Sequence, residues 1–440
     1  MVNVMLIGHG GREHAIAEAL KRGGATLSAY MGKENPAIYD MCEGRAKVDT
    51  LDNFEGMVEF AQQNLVNFVV VGPEAPLANG ITNALQAKDL KVVGPTVECA
   101  QLESSKIFTR NLMKKYEISS NPKFKEFSSM EGLEEYIDEV GKEDVVVKPD
   151  GLTGGKGVKV WGDHLNSKQE ILDYCQKILD NKGKFIIEEK LDGEEFTYIC
   201  FVDGKKLVGT PLVQDNKRAY EGDKGPNTGG MGSYSMADHL MPFFTKEDVE
   251  YAHSEMQEVI NAVAKETGEE YKGVLYGQFM KTKKGIKLVE FNIRFGDPEA
   301  MNVLPIMKDN FVEVCQEILE GNLRDNIEFE KKATVVKYCV PDGYPVDPQS
   351  DEEVIIDKEA LDEIGARIYY ASVYRKNEKI YTTTSRAIAL VGIADSLEEA
   401  EKIAEKGTSI VKGKLFHRTD VGSQALLDER AKHMEELLKD

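Results

Sequence analysis

The first hundred residues alternate short apolar runs with amphipathic patterns, and this alternation limits the possible folds more than any other feature. It predicts strands over 2–7, 26–31, 68–71 and 91–93, with helices over 12–21, 53–64 and 77–87 between them. Strands that alternate with helices form a parallel sheet covered on both faces. Such sheets bind ligands at the carboxyl ends of their strands. The sequence therefore predicts a doubly wound α/β domain over residues 1–103.

Length and charge limit the class of protein further. At 440 residues the chain is too long for one core, and its length favours roughly three domains. Its 76 acidic and 55 basic residues give a net charge of -21, which disfavours nucleic acid or an anionic membrane as the main partner. The N-terminal residues resemble a buried strand rather than a signal peptide. No apolar run approaches the ~20 residues of a membrane span.

Cysteine spacing predicts a reducing compartment. The six cysteines are scattered without a C-x-x-C pair: Cys42, Cys99, Cys175, Cys200, Cys315 and Cys339. Such spacing indicates neither a zinc site nor a disulfide framework. Because reduced thiols are usual in the cytosol, we expect a cytoplasmic protein.

A glycine cluster follows the first predicted strand and reads Gly8-His-Gly-Gly-Arg-Glu-His14. The cluster resembles a dinucleotide fingerprint, but Glu13 stands where the third glycine is required, and no acid ends the second predicted strand. A nicotinamide cofactor is therefore disfavoured. Gly10 and Gly11 would still admit a phosphate at the helix N-terminus, with a charge-assisted hydrogen bond from Arg12. A tight turn without a ligand is the alternative.

A second glycine cluster, residues 151–157, lies between predicted strands 145–148 and 158–161. A Walker loop needs Ser or Thr after its lysine and a helix beyond, and this cluster has neither. We expect a hairpin flap whose free amides and Lys156 close over the phosphates of a nucleotide. A solvated hairpin tip is the alternative.

The segment 287–299 joins an apolar strand to a run of chemically active side chains. Because side chains alternate along a strand, Glu290, Asn292 and Arg294 should share one face, with Val289 on the other. A carboxylate beside an amide oxygen suits Mg²⁺, which takes a few protein oxygens and leaves other positions to phosphates and water. The pattern predicts a metal and phosphate site.

A hairpin partner strengthens this prediction. Residues 273–280 resemble a strand, and 283–285 resemble a three-residue loop with a left-handed glycine. Pairing outward from this loop sets Gln278 opposite Glu290, which would add an amide oxygen to the cluster. An amphipathic strand with a solvated polar face is the alternative.

Residues 185–195 form an apolar run that enters an acidic turn. A buried strand can offer backbone groups to an adenine edge, and Glu195 could accept hydrogen bonds from ribose hydroxyls. Taken alone, the segment also fits a charged surface turn.

Four features of the chain, taken in order, resemble the ATP-grasp ligase fold: Lys106, Lys148 before the flap, Glu188–Glu195 and Glu290-Phe-Asn292. Four further motifs resemble the glycinamide ribonucleotide synthetase family: Gly8-His-Gly-Gly-Arg-Glu-His-Ala15, Val71-Gly-Pro-Glu-Ala-Pro-Leu77, Gly225-Pro-Asn-Thr-Gly-Gly-Met-Gly232 and Arg294-Phe-Gly-Asp-Pro-Glu299. The resemblance covers essentially the whole chain.

The resemblance implies a multidomain α/β and α+β architecture. An ATP-grasp core over 104–330, with a lid module at 119–188, would follow the doubly wound domain and precede a small, mainly β domain over 331–440. The implied reaction joins glycine to 5-phosphoribosylamine through glycyl phosphate, giving glycinamide ribonucleotide, ADP and phosphate in de novo purine synthesis. A monomer or weak dimer is expected.

The resemblance also implies roles for individual residues. ATP contacts are expected from Lys106, Lys148, Gly154, Gly155, Lys156, Glu188, Glu189, Leu191 and Glu195. Mg²⁺ or Mn²⁺ is expected on Gln278, Glu290 and Asn292. The substrates glycine and 5-phosphoribosylamine are expected near Gly10, Gly11, Arg12, Glu74, Asp215, Lys217, Thr228, Gly229, Gly230, Met231, Arg294 and Asp297. Within that set, Asp215 and Arg294 would grip the ammonium and the carboxylate of glycine and so take part directly in the reaction.

Three positions depart from the family pattern. His9 stands where Asn is usual, 33–37 replaces a Gly-Asn-Xaa-Gly turn, and Asn216 replaces a frequent histidine, which is therefore not an indispensable acid or base. Another ATP-grasp enzyme, such as a biotin-dependent carboxylase subunit, would share the phosphate machinery but lack the motifs at 225–232 and 294–299. A non-catalytic nucleotide sensor would be expected to lose a metal ligand or the flap lysine.

Overall fold

The structure, a computed structural model, describes residues 2–154 and 157–439. Two residues of the predicted flap, Gly155 and Lys156, lie outside the described residues. None of the helices in the described part is long and apolar enough to cross a membrane.

The N-terminal domain contains the predicted parallel sheet. Its five strands lie in the order Ala46–Val48, Ala25–Met31, Val2–Ile7, Phe68–Val71 and Lys91–Val93. The helices of this region are Gly11–Arg22, Pro36–Met41, Phe54–Gln63, Glu74–Ala78, Ile81–Gln86, Val97–Ser104 and Lys106–Lys115. Side chains of the first strand alternate between two cores, since Met5 packs in one and Leu6 in the other. Both faces of the sheet are thus covered, and the predicted fold class is confirmed.

The N-terminal helices differ from the prediction in two ways. Pro36–Met41 and Val97–Ser104 are helices that the pattern did not predict. The helix expected over 77–87 is divided into Glu74–Ala78 and Ile81–Gln86. Gly80 separates them with a φ of 89°, a left-handed conformation that favours glycine and interrupts a helix. The short strand Ala46–Val48 carries no apolar run, and the pattern therefore missed it.

The lid module forms its own small layer. Its sheet has the order Phe124–Phe127, Phe185–Glu189, Val145–Pro149 and Lys159–Val160. The helices Leu133–Val140 and Lys168–Asp180 and the 3₁₀ turn Lys142–Asp144 accompany it. Buried side chains such as Val147, Ile171 and Phe185 form a separate core.

A second antiparallel sheet forms the floor beneath the lid. Its order is Leu207–Gly209, Gly193–Asp203, Lys272–Thr282 and Gly285–Asn292. The long helix Lys246–Thr267 packs against it through Met256 and Val259, which belong to the same core as Leu275.

The remaining elements join the catalytic core to the C-terminal region. An antiparallel sheet runs Gln214–Asp215, Gly232–Ser235, Ala333–Pro341, Ile388–Ala394 and Arg367–Tyr370, with Leu415–Phe416 beside Ala333–Pro341. Smaller sheets pair Arg218–Tyr220 with Lys224–Asn227, and Lys379–Thr382 with both Glu353–Val354 and Val373–Lys376. The other helical segments are Ala300–Val303, Leu304–Ile306, Phe311–Glu320, Lys358–Glu363, Leu397–Ile410 and Gln424–Lys439.

The hairpin beside the metal cluster has a different turn from the one expected. Thr282 pairs directly with Gly285, so the loop contains two residues rather than three. Gly285 has a φ of 94°, as its predicted left-handed role requires. A bulge between Gln278 and Phe279 then shifts the register and sets Gln278 opposite Glu290. The predicted pairing holds because the bulge supplies the residue that the shorter turn removes.

Candidate active site

A cavity of about 370 Å³ lies where the N-terminal domain, the lid, the floor sheet and the C-terminal domain meet. It is lined by fifteen of the residues expected to form the site: Arg12, Glu74, Lys106, Lys148, Gly154, Glu188, Asp215, Lys217, Thr228, Gly229, Gln278, Glu290, Asn292, Arg294 and Asp297. The other expected residues that the structure describes lie outside this lining: Gly10, Gly11, Glu189, Leu191, Glu195, Gly230 and Met231.

Lys148 and Arg110 hold one buried carboxylate between them under the lid. Glu188 Oε2 lies 2.7 Å from Lys148 Nζ, and Glu188 Oε1 lies 2.5 Å from Arg110 Nε. Burial alone would raise the pKa of Glu188, but Arg110 and Lys148 outweigh burial and keep the pKa below its usual range. Arg110 was not predicted as a site residue, because only its position on the same helix as Lys106 distinguishes it in the sequence.

The bulge in the hairpin contributes a backbone acceptor to the same region. Val289 is the extra residue of the bulged strand, since Leu288 and Glu290 pair with Phe279 and Gln278. Its carbonyl accepts from Lys148 Nζ at 3.0 Å and from Arg110 Nη2 at 2.8 Å. Val289 also lines the cavity beside Glu290, whereas strict alternation would have turned it away.

Lys106 fixes the beginning of the flap. Its ammonium donates to the carbonyl of Gly151 at 2.8 Å, and Asp150 accepts from the backbone of Ile107 at 3.1 Å. At the other end of the flap, the hydroxyl of Tyr174 donates to the Gly157 carbonyl at 2.7 Å. Burial lowers the pKa of Lys106, and Glu290 opposes that shift.

The oxygen cluster predicted for a metal contains an unsatisfied acceptor. Gln278 is 1% exposed, and its Oε1 has no hydrogen-bond partner among the described residues. Its amide nitrogen donates to Glu195, which orients the oxygen. A buried orphan oxygen opposite Glu290 fits a cation, because an unpaired acceptor is otherwise costly.

The donor set limits which cation would fit. No group of three or more His, Cys, Asp or Glu side chains that could hold a metal occurs within the described residues. Glu290 therefore supplies a single carboxylate beside the amides of Gln278 and Asn292. Such a sparse oxygen set suits a hard divalent ion whose other ligands are phosphates and water.

A second acidic group, Asp215 and Glu299, also lines the cavity. Asp215 is 4.0 Å from Lys217 Nζ, which also lies 3.1 Å from Glu195. Burial raises the pKa of Asp215. Burial, together with the neighbouring Asp215, raises the pKa of Glu299 to about 7, and Tyr276 donates to Glu299 at 2.9 Å. Glu299 was missed as a site residue, although it ends the motif that begins at Arg294.

Arg294 is held between two carboxylates of the N-terminal region. Its Nε lies 3.2 Å from Glu74, and its Nη2 lies 2.9 Å from Glu103. The second oxygen of Glu103 accepts from the backbone of Ile293 at 2.8 Å. The guanidinium of Arg294 lowers the pKa of Glu74 to about 2, whereas burial raises the pKa of Glu103 to about 7. Sequence reasoning missed Glu103, because no motif contains it.

The glycine-rich turn is occupied by the chain's own carboxylate. Glu13 accepts from the amide of Gly10 at 2.5 Å and from Arg12 Nε at 2.6 Å. A side chain on Gly8 would meet Glu13 within 2.6 Å. The amide of Gly10, which was expected to bind a phosphate, therefore binds Glu13. Glu13 stands where a dinucleotide fingerprint has its third glycine, and its side chain fills the space that a glycine would leave open.

Two departures from the family pattern have structural partners. Asn35, within the altered turn, donates to the carbonyls of His9 at 2.9 Å and Tyr370 at 2.7 Å. Asn216 accepts from Arg430 at 2.9 Å and is 1% exposed. Both side chains therefore connect the C-terminal domain to the rest of the molecule.

The parallel-sheet domain, the lid and the charged cavity beneath it define an ATP-grasp protein. Family models described as phosphoribosylglycinamide synthetase match the N domain over residues 2–103, the ATP-grasp (A) domain over 104–300 and the C domain over 334–424. The chain belongs to the phosphoribosylglycinamide synthetase family. The resemblance found in the motifs is thus confirmed.

Individual relatives extend over nearly the whole chain. The phosphoribosylamine–glycine ligase of Methanosarcina barkeri is 49% identical over 440 residues, covering 99% of this chain and 100% of its own. That of Pyrococcus abyssi is 47% identical, with coverages of 100% and 99%.

Solved structures agree with these relatives. The crystal structure of phosphoribosylamine–glycine ligase from Thermotoga maritima has a TM-score of 0.80 at 28% identity, covering 95% of this chain and 100% of that one. The biotin carboxylase domain of Hydrogenobacter thermophilus 2-oxoglutarate carboxylase has a TM-score of 0.72 at 16% identity, covering 99% and 97%. At that identity the similarity indicates a shared fold alone.

Proposed function

We propose that this chain is an enzyme of de novo purine synthesis that joins glycine to 5-phosphoribosylamine at the expense of ATP. The products are glycinamide ribonucleotide, ADP and phosphate. The observation that carries the proposal is the single cavity in which Lys106 and Lys148, the oxygen cluster at Glu290, and the pair Asp215 and Arg294 come together. Membership of the family along the whole chain supports the same reaction.

The reaction requires two displacements. A carboxylate is a poor acylating agent, so a glycine oxygen first attacks the γ-phosphorus of ATP while the bond between that phosphorus and the bridging oxygen to ADP breaks. The amine of phosphoribosylamine then attacks the carbonyl carbon of glycyl phosphate, a C–N bond forms, and phosphate leaves. Transfer of a phosphoryl group depends mainly on positioning and charge neutralisation.

The cations at the lid end suit the nucleotide. Lys106 and Lys148 would neutralise its phosphates, and Gly154 of the flap would cover them. The backbone at Glu189 and Leu191 would contact the adenine, and Glu188 would lie next to this strand end. Glu195 would accept hydrogen bonds from the ribose hydroxyls. Gly155 and Lys156, which lie outside the described residues, keep their proposed phosphate contacts.

Gln278, Glu290 and Asn292 would hold the divalent metal that this reaction uses. We propose Mg²⁺, with Mn²⁺ as a substitute, because the donor set is composed of oxygens alone. When bound, the metal neutralises the negative charge of the phosphates. The orphan oxygen of Gln278 supports its place in this set.

Asp215 and Arg294 would hold the two charged ends of glycine. Asp215 would accept from the ammonium, and Arg294 would donate to the carboxylate. The guanidinium of Arg294 is already paired with Glu74 and Glu103. One of these two carboxylates must therefore move away before the carboxylate of glycine binds. Glu74 is 34% exposed and Glu103 is 9% exposed. We therefore infer that Glu74 yields and that Glu103 stays with Arg294.

Phosphoribosylamine would lie between the N-terminal domain and the core. Arg12, Glu74, Thr228, Gly229 and Asp297 line this end of the cavity. The residues that would pack behind this part of the lining are Gly10, Gly11, Gly230 and Met231. Lys217 would orient Asp215. The six buried, unpaired cysteines support a cytoplasmic location, and we expect a monomer or weak dimer.

A coupled assay for ADP release tests the proposed function. We expect ADP release that requires glycine and phosphoribosylamine together, with equal amounts of ADP and glycinamide ribonucleotide. ADP release that is independent of either substrate, or that bicarbonate supports in place of glycine, would refute the proposal.

A further inference from the structure

We propose that Arg386, contributed by the C-terminal domain, is a positioning residue that shapes the subsite for phosphoribosylamine. The inference rests on the proposed function and extends it to a domain outside the ATP-grasp core. No motif in the sequence pointed to Arg386, yet it lines the cavity.

One nitrogen of Arg386 holds two separate loops together. Nη1 donates to the carbonyls of Gly229 at 2.8 Å, Gly230 at 3.0 Å and Asp297 at 2.9 Å. Gly229 and Gly230 belong to the glycine-rich loop after the strand Lys224–Asn227, whereas Asp297 follows Arg294 nearly seventy positions later. A single guanidinium therefore fixes the relative position of the two loops.

A buried tyrosine fixes the guanidinium in turn. Arg386 stacks over the ring of Tyr338 at 4.5 Å, and Tyr338 donates to Asp297 Oδ1 at 2.5 Å. The Tyr338 hydroxyl also lies against Gly11, where any side chain would collide with it. The arginine and the tyrosine thus connect the C-terminal domain to three of the segments proposed to surround phosphoribosylamine, those at Gly11, Gly229–Gly230 and Asp297.

Close packing and charge both indicate a role toward this substrate. A Cβ at Gly229 would come within 3.1 Å of the guanidinium carbon, so the arginine packs closely against the backbone of this loop. Among the described residues, Asp297 is the only carboxylate within 4.0 Å of Arg386, at 3.5 Å, and it is shared with Tyr338. The arginine keeps positive charge at the cavity edge, which suits a phosphorylated sugar.

The test compares Arg386→Gln and Arg386→Lys with the wild-type enzyme. We expect the KM for phosphoribosylamine to rise about ten-fold or more in the glutamine variant, while the KM values for ATP and glycine stay within about two-fold. Lysine keeps the charge but not the planar fork, so it should restore only part of the loss. Tyr338→Phe retains the stacked ring and should have a smaller effect than either.

Arg375→Gln is the matched control. Arg375 lies in the same domain and pairs with Asp40 at 2.8 Å, outside the cavity lining, so its KM for phosphoribosylamine should be unchanged. A KM for phosphoribosylamine within two-fold of wild type in folded Arg386→Gln would overturn the proposal. An equal rise in all three KM values would overturn it too, because it would indicate a general structural role.

A measurement on the wild-type protein covers the case in which both variants fail to fold. Ribose 5-phosphate should slow amide hydrogen exchange in residues 228–231 and at Arg386, and ATP alone should not. Absence of that protection would overturn the proposal. The hydrogen-exchange measurement does not require turnover. Failure of the ADP assay would therefore refute the proposed function without deciding whether Arg386 shapes this subsite.

Discussion

At the scale of single residues, the cavity is governed by buried charges whose partners come from distant parts of the sequence. Glu188 lies between Arg110 and Lys148, and Arg294 lies between Glu74 and Glu103. Removing one member of such a set leaves another charge buried without its partner, which costs more than the lost contact. The effect of each substitution on stability therefore depends on which charged partner remains buried without a counter-charge.

Glu290→Gln should remove most activity with little loss of stability. The substitution deletes the one carboxylate of the oxygen cluster, and we expect kcat to fall at least about ten-fold because charge neutralisation at the phosphates is lost. Turnover as a function of Mg²⁺ concentration, together with thermal unfolding, measures both effects. Glu398→Gln, at a surface site paired with Lys402, is the control. Normal turnover of the Glu290 variant at ordinary Mg²⁺ would remove Glu290 from the metal site.

Asp215→Ala should affect glycine far more than ATP. Glycine offers little besides two charges, and losing a buried partner of one of them costs roughly 2 to 5 kcal/mol. The KM for glycine should therefore rise about ten-fold or more. Arg294→Lys should also be impaired, because an ammonium does not reproduce a planar fork. Unchanged glycine dependence with impaired ATP dependence would assign both residues to the nucleotide instead.

Glu103→Gln should change how stability depends on pH. Burial raises the pKa of Glu103 to about 7 in the folded protein, so the folded state binds more protons than the unfolded state between about pH 4.5 and 7. The wild-type protein thus loses stability from this group as pH rises through that window. Between pH 4.5 and 7.5 the stability of the variant relative to that of wild type should rise by up to about 3 kcal/mol, because its amide does not titrate, while the lost partner of Arg294 lowers its stability at both pH values. Urea unfolding at pH 4.5 and 7.5 measures the difference, and a pH-independent difference would contradict the prediction.

At the scale of secondary-structure elements, the hairpin that contains Gln278 and Glu290 combines two irregularities. Its two-residue turn and its bulge together produce the pairing that a three-residue loop would have given. The bulge also turns the Val289 carbonyl toward Arg110 and Lys148. An irregular strand therefore carries two of the proposed metal ligands, Glu290 and Asn292, together with a backbone anchor for the two cations Arg110 and Lys148.

The flap should become resistant to protease when nucleotide binds. Lys106 holds Gly151 at one end and Tyr174 holds Gly157 at the other, while Leu152 is 41% exposed. Closure over phosphates would cover the segment, since a lid that sequesters its ligand also shields its own backbone. We expect ATP with Mg²⁺ to slow limited proteolysis within 151–157. A cleavage rate that ATP leaves unchanged would argue against a lid.

At the scale of the whole molecule, the lid packs around a hydrophobic core of its own. Its core is composed of residues between Phe127 and Ile187. By contrast, one large core joins Met5 of the first strand, Leu275 of the floor sheet and Val335 of the C-terminal domain. The strand Ala333–Pro341 also pairs with Gly232–Ser235, so a sheet crosses the predicted boundary at 330.

The lid should therefore open without global unfolding. A small core that shares few side chains with its neighbours has a lower free energy of opening than the joint core. Native-state hydrogen exchange should give lower opening free energies for amides in 124–189 than for those in the strand Val2–Ile7. Equal values in the two regions would indicate one cooperative unit and contradict this prediction.

The sequence by itself determined the fold class, the family and about half of the residues that line the cavity. Alternating apolar runs specify the parallel sheet, and local motifs such as the one at 290–294 carry their chemistry in consecutive residues. The strands Phe68–Val71 and Lys91–Val93 have the predicted bounds. These features depend on interactions between neighbours in the chain, which a single sequence records.

Tertiary structure alone decided the partners of the buried charges. Glu103, Arg110 and Arg386 enter the cavity from segments whose local sequence has no distinguishing pattern, and Glu299 ends a motif that by itself assigns it no role. Glu13 filled the turn expected to bind a phosphate, because its carboxylate reaches the amide of Gly10. Electrostatic pairing across hundreds of positions depends on how the layers pack, and that packing determines which charge remains free for a substrate.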